Sequence, residues 1–327
     1  MKERYFGKTG RMVSQVGLGC WQLGSDWGKA MDEQEALKIL TAAFDAGVTF
    51  FDTADVYGDG RSEAAIGRFI KSHPGKIFVA TKVGQSADLF PDKYTEAGVR
   101  AVTEASLKRL GVEALELSQL HCVPTNYVRQ GDVFNWMRRL KREGKIKNYG
   151  ASVETVEEGL LCLEQEGLVS LQIIFNIFRQ KPITTLFPKA KEKGVAIIVR
   201  LPMASGMLSG KFTKASRFPK EDHRNYNCDG QVFNVGETFA GLTLEKGVEL
   251  ADALKLMVPE GMNLPQMALR WILDFDAVSV IIPGASRPEQ ARMNASASDL
   301  PPLSPELHQK LQKFYADKIA AHIRGVY

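Results

Sequence analysis

The sequence predicts a (β/α)8 barrel, the TIM-barrel architecture, as one domain over residues 1–327. Short apolar segments of the kind that forms buried strands recur eight times along the chain. Segments with apolar residues at helical spacing separate these strands. The length of 327 residues is normal for one such barrel, and 44% apolar with 24% charged residues is ordinary for a globular domain. Strands that alternate with helices form parallel sheets, and eight of them favour closure.

The individual elements follow from periodicity and from residues that begin and end helices. Asp32 can cap the first helix, Glu35 completes a pattern like a capping box, and Gly47 ends the helix. The predicted strands are 16–19, 49–52, 77–82, 115–121, 149–152, 171–176, 195–200 and 278–282. The predicted helices are 32–46, 62–70, 95–110, 132–142, 156–164, 184–193, 243–257, 264–274 and one from about 288.

Three segments stand outside this alternation. Residues 5–10 are typical of a small N-terminal hairpin, which we expect to plug the floor of the barrel. An extra C-terminal helix begins at Ser304-Pro305, a cap followed by a proline in the first helical position. Segment 201–242 contains Gly, Ser, Pro and many charges without periodicity, and it is predicted to be a long loop. Loops of this length in compact domains are usually functional or disordered.

Composition and charge exclude several classes of protein. The net charge of +4 is too small to indicate nucleic-acid binding, although it is compatible with a small anionic ligand. The four cysteines form no C-x-x-C pair and lie near no histidine cluster, so neither a zinc site nor a disulfide framework is expected. The sequence has no apolar run of membrane-spanning length and no signal-peptide pattern. We therefore expect a cytoplasmic protein, with a monomer as the default state.

Ionisable residues end three consecutive predicted strands. Asp52 ends the second strand, Lys82 the third and His121 the fourth. The carboxyl ends of barrel strands meet at one mouth, where barrel enzymes place their active sites. Tyr57 lies in the loop after Asp52 and can turn back over that mouth. These four residues form the predicted catalytic site.

The chemistry of this set suits the reduction of a carbonyl group. A buried Lys82 needs an anion, which Asp52 supplies. The ammonium group should stabilise the Tyr57 phenolate, so we expect a lowered pKa and a usable proton donor. His121 can donate a hydrogen bond to a carbonyl oxygen. Such a reduction also requires a cofactor that supplies hydride.

Seven segments, in order along nearly the whole chain, resemble those of the aldo-keto reductase family. The resemblance implies NADPH-dependent reduction of aldehydes, ketones or sugar carbonyls, with Tyr57 as general acid and His121 orienting the substrate. The segments are FDTADVYG at 51–58, ATKVG at 80–84, QLHCVP at 119–124, YGASVET at 149–155, LQIIFNIF at 171–178, LPMASGMLSGKF at 201–212 and IIPGASRPEQARMNA at 281–295.

The same resemblance implies where NADPH binds. Ser152 and Gln172 would bind the nicotinamide carboxamide, segment 202–211 the pyrophosphate and segment 284–294 the adenosine end. Two positions depart from many family members: Val153 replaces an asparagine, and Arg200 stands where an aromatic ring often stacks on the nicotinamide. The predicted cofactor set is Trp21, Ser152, Gln172, Arg200, Pro202, Met203, Ser205, Gly206, Leu208, Lys211, Gly284, Ser286, Arg287, Gln290 and Asn294.

Some alternatives remain open from the sequence. Lys82 at a strand end is also compatible with a Schiff-base aldolase or lyase, although pairing with Asp52 would make it a poor nucleophile. A cofactor-binding regulatory subunit with incidental turnover is a third interpretation. Loops 22–31, 85–93 and 213–240 are expected to shape the substrate pocket. Trp21 and Trp27 are compatible with core positions, and Trp21, which directly follows the first strand, is equally compatible with a pocket wall.

Overall fold

The barrel strands occur in the sheet in the same order as in the chain, which is the arrangement that consecutive βα units produce. The computed structural model describes residues 1–24 and 31–327. Eight parallel strands run from β3 to β10, and bridges from Val16 to Ile281 and from Gly19 to Gly284 join the outer two. The predicted barrel is therefore confirmed. The strands are β1 Glu3–Tyr5, β2 Met12–Ser14, β3 Leu18–Gly19, β4 Phe50–Asp52, β5 Phe78–Val83, β6 Leu117–His121, β7 Tyr149–Ser152, β8 Leu168–Ile174, β9 Ala196–Arg200 and β10 Val278–Ile281.

Helices surround the sheet, and their ends follow the capping residues. The Asp32 carboxylate accepts the backbone N–H of Glu35 at 2.7 Å, and Thr155 with Glu158 forms a full capping box. The helices are α1 Glu33–Asp45, α2 Arg61–Lys71, α3 Glu96–Leu110, α4 Thr125–Gln130, α5 Asp132–Arg142, α6 Val156–Leu163, α7 Leu186–Glu192, α8 His223–Tyr226, α9 Leu244–Lys255, α10 Leu264–Leu273, α11 Pro288–Ser296 and α12 Pro305–Phe314. Among the described residues, no helix is both long and apolar enough to cross a bilayer.

The N-terminal hairpin closes the floor of the barrel, as the sequence predicts. Strands β1 and β2 pair antiparallel, and Phe6 between them is fully buried. The ring centroid of Phe6 lies 5.5 Å from that of Phe50 and 4.8 Å from that of Phe78. The hairpin therefore supplies an apolar side chain to the barrel interior, at the end opposite the carboxyl ends of the strands.

Segment 201–242 is folded against the mouth of the barrel. It contains a 3-10 turn at Ala204–Ser209, helix α8, and two single turns at Val235–Glu237 and Phe239–Gly241. This segment lies at the carboxyl end of β9, where it covers part of the predicted site. Residues 25–30, which include Trp27 and most of the expected pocket loop 22–31, lie outside the described residues.

Candidate active site

The buried amine of Lys82 lies at the centre of the site. Its Nζ donates to Asp52 Oδ1 at 2.5 Å, to the backbone oxygen of Thr53 at 2.7 Å and to Tyr57 Oη at 3.2 Å. These three acceptors use the three hydrogens of the ammonium group, so the buried charge is both paired and hydrogen-bonded. The parallel register of β4, β5 and β6 brings their carboxyl ends together at this point.

Two glutamine side chains hold the second oxygen of Asp52. Gln172 Nε2 donates to Asp52 Oδ2 at 2.7 Å, and Gln119 Nε2 approaches it at 3.3 Å. The sequence analysis assigned Gln172 to the nicotinamide carboxamide, whereas its amide nitrogen here supports the carboxylate. Gln119 was missed. Its position two residues before His121 on β6 was a usable signal, because alternate residues of a strand share a face.

Burial dominates the electrostatics of the two proton-bearing groups. Burial raises the pKa of Tyr57 to about 12, although the Lys82 ammonium acts in the opposite direction. The expectation that Lys82 lowers the pKa of Tyr57 below its ordinary value is therefore wrong. Burial alone would lower the pKa of Lys82, but Asp52 and Tyr57 outweigh it and raise that pKa. Lys82 is thus held as an ammonium ion and Tyr57 as a phenol.

His121 lies beside Tyr57 at the end of β6. The two ring centroids are 6.0 Å apart in an edge-to-face arrangement. Burial, followed by the charges of Lys82 and Arg200, holds the pKa of His121 well below its ordinary value, so the imidazole is neutral. Its Nδ1 is buried without a hydrogen-bond partner among the described residues. A neutral imidazole carries one N–H, which can donate to a ligand oxygen.

An aromatic wall stands next to Tyr57. The Trp21 ring stacks on Tyr57 with centroids 6.0 Å apart, and it lies 4.9 Å from His223 and 6.3 Å from Phe233. Trp21 is only half-buried, in agreement with a position at the pocket. His223 and Phe233 come from loop 213–240, which the sequence analysis expected to shape the pocket. That loop has no periodicity that would single out these two side chains in advance.

Arg200 at the end of β9 is fixed by partners from two other segments. It forms an ion pair with Glu237, and its Nη2 donates to the backbone oxygen of Val153 at 3.0 Å. Its Nε is buried without a partner among the described residues. Ser152 lies next to this group, with its hydroxyl 3.8 Å from the sulfur of Cys122. Glu237 lies in the aperiodic segment 201–242, and the sequence analysis did not single it out.

Among the described residues, one group of side chains has the spacing of a metal site. It consists of Cys122, Glu154 and Glu237, whose potential ligand atoms lie within 4.8 Å of one another. Burial raises the pKa of the Cys122 thiol to about 12, so the thiol is not prepared to bind a cation as a thiolate. Glu237 is already paired with Arg200, and Glu154 accepts a hydrogen bond from Asn234 at 2.7 Å. The cluster is therefore better described as the surroundings of Arg200.

The predicted pyrophosphate segment has a strained backbone. Ala204 and Ser205 have φ values of 47° and 54°, and Gly206 follows at 89°. Left-handed conformations at non-glycine residues cost about 1–3 kcal/mol each and concentrate at ligand-binding sites. The amide groups of Gly206 and Leu208 both donate to Met203 O, at 3.0 and 3.2 Å, so the turn itself uses two of the predicted donors. Pro202 is buried and Lys211 is exposed.

The predicted adenosine segment lies between β10 and α11. Asn294 Nδ2 donates to Gly284 O at 3.1 Å, and Gln290 Oε1 accepts from the backbone N–H and the hydroxyl of Ser286. Arg287 is exposed just before α11 and makes no ion pair within the described part of the chain. Glu289 adds a negative charge to the first turn of that helix. The segment thus presents a free guanidinium beside a structured turn.

The residues at the mouth fit an extended nicotinamide cofactor. Arg200 Nε and His121 Nδ1 are buried and have no hydrogen-bond partner among the described residues. A polar atom of a bound ligand can supply the missing partner at each of these places. The strained turn lies beyond β9 and the exposed arginine beyond β10, along one edge of the mouth.

Comparisons with known proteins agree with this arrangement. The Aldo/keto reductase family profile matches residues 15–316. The chain is 29% identical to the uncharacterized oxidoreductase YqkF of Bacillus subtilis, over 95% of this chain and 96% of that protein. It is 26% identical to the NADH-specific methylglyoxal reductase of Escherichia coli, over 92% and 94% of the two chains. Among solved structures, it resembles the holo form of the aldo-keto reductase AKR11C1 from Bacillus halodurans, with a TM-score of 0.78, 26% identity, and coverage of 100% and 98%.

Proposed function

The chain belongs to the aldo-keto reductase family and is an NAD(P)H-dependent oxidoreductase of carbonyl and alcohol groups, and from this premise we propose that it reduces a small aldehyde, ketone or sugar carbonyl with NADPH, using Tyr57 as the proton donor. The observation that carries the proposal is the hydrogen-bonded chain from Asp52 through Lys82 to Tyr57, which ends beside a neutral His121.

Each of the four residues has one task in this mechanism. When bound, the nicotinamide cofactor would supply the hydride that the carbonyl carbon accepts. Tyr57 gives its hydroxyl proton to the carbonyl oxygen, so that the product is an alcohol. Lys82 stabilises the phenolate that is left, and Asp52 keeps Lys82 charged and in place. His121 donates its N–H to the carbonyl oxygen and fixes the position of that oxygen beside the Tyr57 hydroxyl.

The raised pKa of Tyr57 is compatible with this role. A proton donor must carry its proton at the working pH, and a pKa of about 12 keeps the free enzyme in that state. The ammonium of Lys82 lies 3.2 Å from the phenol oxygen, so its stabilising effect increases as negative charge develops there. The same ammonium disfavours the Schiff-base alternative, because a nucleophilic amine must first lose its proton.

The proton donor is tested with Tyr57→Phe, which keeps the ring and removes the hydroxyl. Single-turnover hydride transfer should slow by about 10²-fold or more, the range of general acid catalysis. NADPH affinity should change little, because the hydroxyl does not belong to the proposed cofactor set. Tyr5→Phe, which removes an exposed hydroxyl on the barrel floor, is the matched control. Near-normal reduction by Tyr57→Phe would exclude Tyr57 as the acid.

Arg200 is proposed to lie against the nicotinamide. A guanidinium plane can stack on a ring, and here Glu237 and Val153 O fix the orientation of that plane. Ser152 would then bind the carboxamide. Gln172 would either shift from Asp52 to join Ser152 there or keep its hydrogen bond to Asp52. Glu237 balances the charge of Arg200, so the site can accept either the neutral or the oxidised ring.

Arg287 is proposed to recognise the 2′-phosphate and so to select NADPH over NADH. A guanidinium can form charge-assisted, bidentate bonds with a phosphate. Arg287→Ala should weaken NADPH binding by about 1.5–3 kcal/mol, the range for hydrogen bonds to charged groups, and should leave NADH binding nearly unchanged. Isothermal titration with both cofactors measures this difference.

The control for this variant is Arg142→Ala, which removes an exposed arginine at the end of α5. An equal loss of affinity for both cofactors in Arg287→Ala would contradict the assignment of the phosphate site. A wild-type preference for NADH, the specificity stated for the E. coli relative, would contradict it as well.

A further inference from the structure

Residues 228–242, here called the strap, contact the nicotinamide and the pyrophosphate parts of the proposed cofactor site. Glu237 in the strap forms the ion pair with Arg200, and its backbone oxygen accepts from Ser205 Oγ at 2.8 Å. Asn234 donates to Glu154 at 2.7 Å, next to the same arginine. A cofactor that lies on Arg200 and on the turn around Ser205 is therefore covered by the strap.

Arg324 joins the two ends of the strap. Its Nη1 donates to Asp229 Oδ1 at 2.6 Å and its Nη2 to Cys228 O at 2.8 Å. On the other side, Nε donates to Gly241 O at 2.9 Å and Nη2 to Leu242 O at 3.1 Å. One planar guanidinium thus spans the start and the end of the strap, a geometry that the single point charge of lysine cannot reproduce.

The backbone around Arg324 approaches the strap at two glycines. Gly241 has a φ of +88°, and a Cβ there would lie 2.9 Å from Arg324 O. Gly325 has a φ of +77°, and a Cβ there would lie 2.8 Å from a methyl group of Val235. Residues with side chains would be strained at both positions. Residues 323–327, here called the latch, are therefore closely fitted to the strap.

The far end of the latch packs on a buried arginine beneath the strap. The Tyr327 ring lies 4.5 Å from the Cζ of Arg179, and its hydroxyl is 2.9 Å from that of Tyr315. Arg179 is only 2% exposed, and a Cβ on Gly236 would lie 2.1 Å from its Nη1. Arg179 therefore contacts the strap at Gly236, and the Tyr327 ring packs on Arg179 through a cation–π contact.

We propose that the latch holds the strap closed and thereby sets the rate at which the nicotinamide cofactor leaves. Arg324 is a positioning residue in this arrangement, since it acts on the cofactor only through the strap. The inference rests on the proposed function, because it takes the cofactor to lie under the strap. Loss of the Arg324 hydrogen bonds lowers the free energy needed to open the strap locally, without unfolding the barrel.

The test compares Arg324→Ala and Arg324→Lys with the full-length wild type. Stopped-flow measurement of NADPH release should show an increase of about tenfold or more for Arg324→Ala, corresponding to the loss of charge-assisted hydrogen bonds. The release rate of Arg324→Lys should lie between those of the wild type and Arg324→Ala. Single-turnover hydride transfer at saturating NADPH should stay near the wild-type rate. Lys313→Ala, which removes an exposed amine of α12 that pairs with Asp317 just beyond the helix, is the matched control.

A second measurement needs no cofactor. Amide hydrogen exchange of residues 228–242 in the free protein should be faster in Arg324→Ala and unchanged in Lys313→Ala. Asp229→Asn, which alters only the exposed partner of Arg324, should give a smaller increase, and it provides a result even if Arg324→Ala folds poorly.

The outcomes are distinguishable. Unchanged exchange in the strap overturns the latch whether or not the cofactor binds. Faster exchange with an unchanged rate of NADPH release overturns the control of release but leaves the proposed function intact. Absence of NADPH and NADH binding to the wild type overturns the proposed function and, with it, the role of the latch in release.

Discussion

At the residue scale, two buried carboxyl groups lie behind the catalytic loop. Glu63 is fully buried and accepts from Arg109 at 2.6 Å and from Thr81 at 2.5 Å. Asp55 is 7% exposed, and its Oδ1 has no hydrogen-bond partner among the described residues. Burial, reinforced by the charge of Glu63, raises the pKa of Asp55 from 3.8 to about 7. A neutral buried carboxyl fits a structural role for Asp55 in this loop.

The raised pKa of Asp55 predicts a pH-dependent stability. Between pH 4 and pH 7 the unfolded chain ionises Asp55 before the folded protein does, so the contribution of this group to stability is lost as the pH rises. Asp55→Asn should therefore gain stability relative to the wild type as the pH rises. The difference between their free energies of unfolding should shift in favour of the variant by about 1–3 kcal/mol from pH 4 to pH 8, after allowance for relaxation of the buried charge.

Urea unfolding at the two pH values measures this effect. Asp59→Asn changes an exposed carboxyl in the same loop and is the control. If the free energies of unfolding of Asp55→Asn and the wild type differ by the same amount at both pH values, Asp55 does not carry the cost of a buried charge.

At the element scale, the N-terminal hairpin contributes more to stability than its position at the start of the chain suggests. Phe6 lies inside the barrel with Phe50, Phe78 and other buried apolar residues of the strands. Phe6→Ala leaves a cavity that the rigid strands cannot fill, so the free energy of unfolding should fall by about 3–5 kcal/mol. Urea unfolding tests this prediction, with Tyr5→Ala, an exposed ring on the same hairpin, as control.

A loss below about 1 kcal/mol in Phe6→Ala would be too small for a filled interior site, and it would show that the hairpin covers the floor without supporting it. The site at the mouth lies at the other end of the barrel, so hydride transfer in Phe6→Ala should be unchanged under conditions where the variant is folded.

The elements that sequence reasoning located best are those with strong local signals. Helix α1 lies at Glu33–Asp45 because Asp32 caps it and because Ile39, Leu40 and Ala43 form a buried face. Helices α4 and α8 were missed. They contain six and four residues, too few for an apolar periodicity to appear, and tertiary contacts decide their conformation.

At the scale of the whole molecule, the sequence was informative wherever parallel register alone determines position. Asp52, Lys82 and His121 could be brought together from the sequence because each stands at or near the carboxyl end of a neighbouring strand. Glu237 could not, because its contact with Arg200 depends on the path of an aperiodic segment. The pKa of Tyr57 could not either, since burial and the charge of Lys82 act in opposite directions and only the structure decides which is larger.

The two ends of the described chain lie on opposite faces of the barrel, and this affects how the protein should be handled at the bench. Met1 lies at the floor, where its amino group contacts Asp299 at 3.2 Å. Tyr327 lies on Arg179 at the mouth. An affinity tag or a fluorescent dye joined before Met1 is attached at the floor, far from the reacting groups. The same addition beyond Tyr327 is attached directly to the latch. Kinetic constants from proteins tagged at Met1 and at Tyr327 should therefore not be pooled.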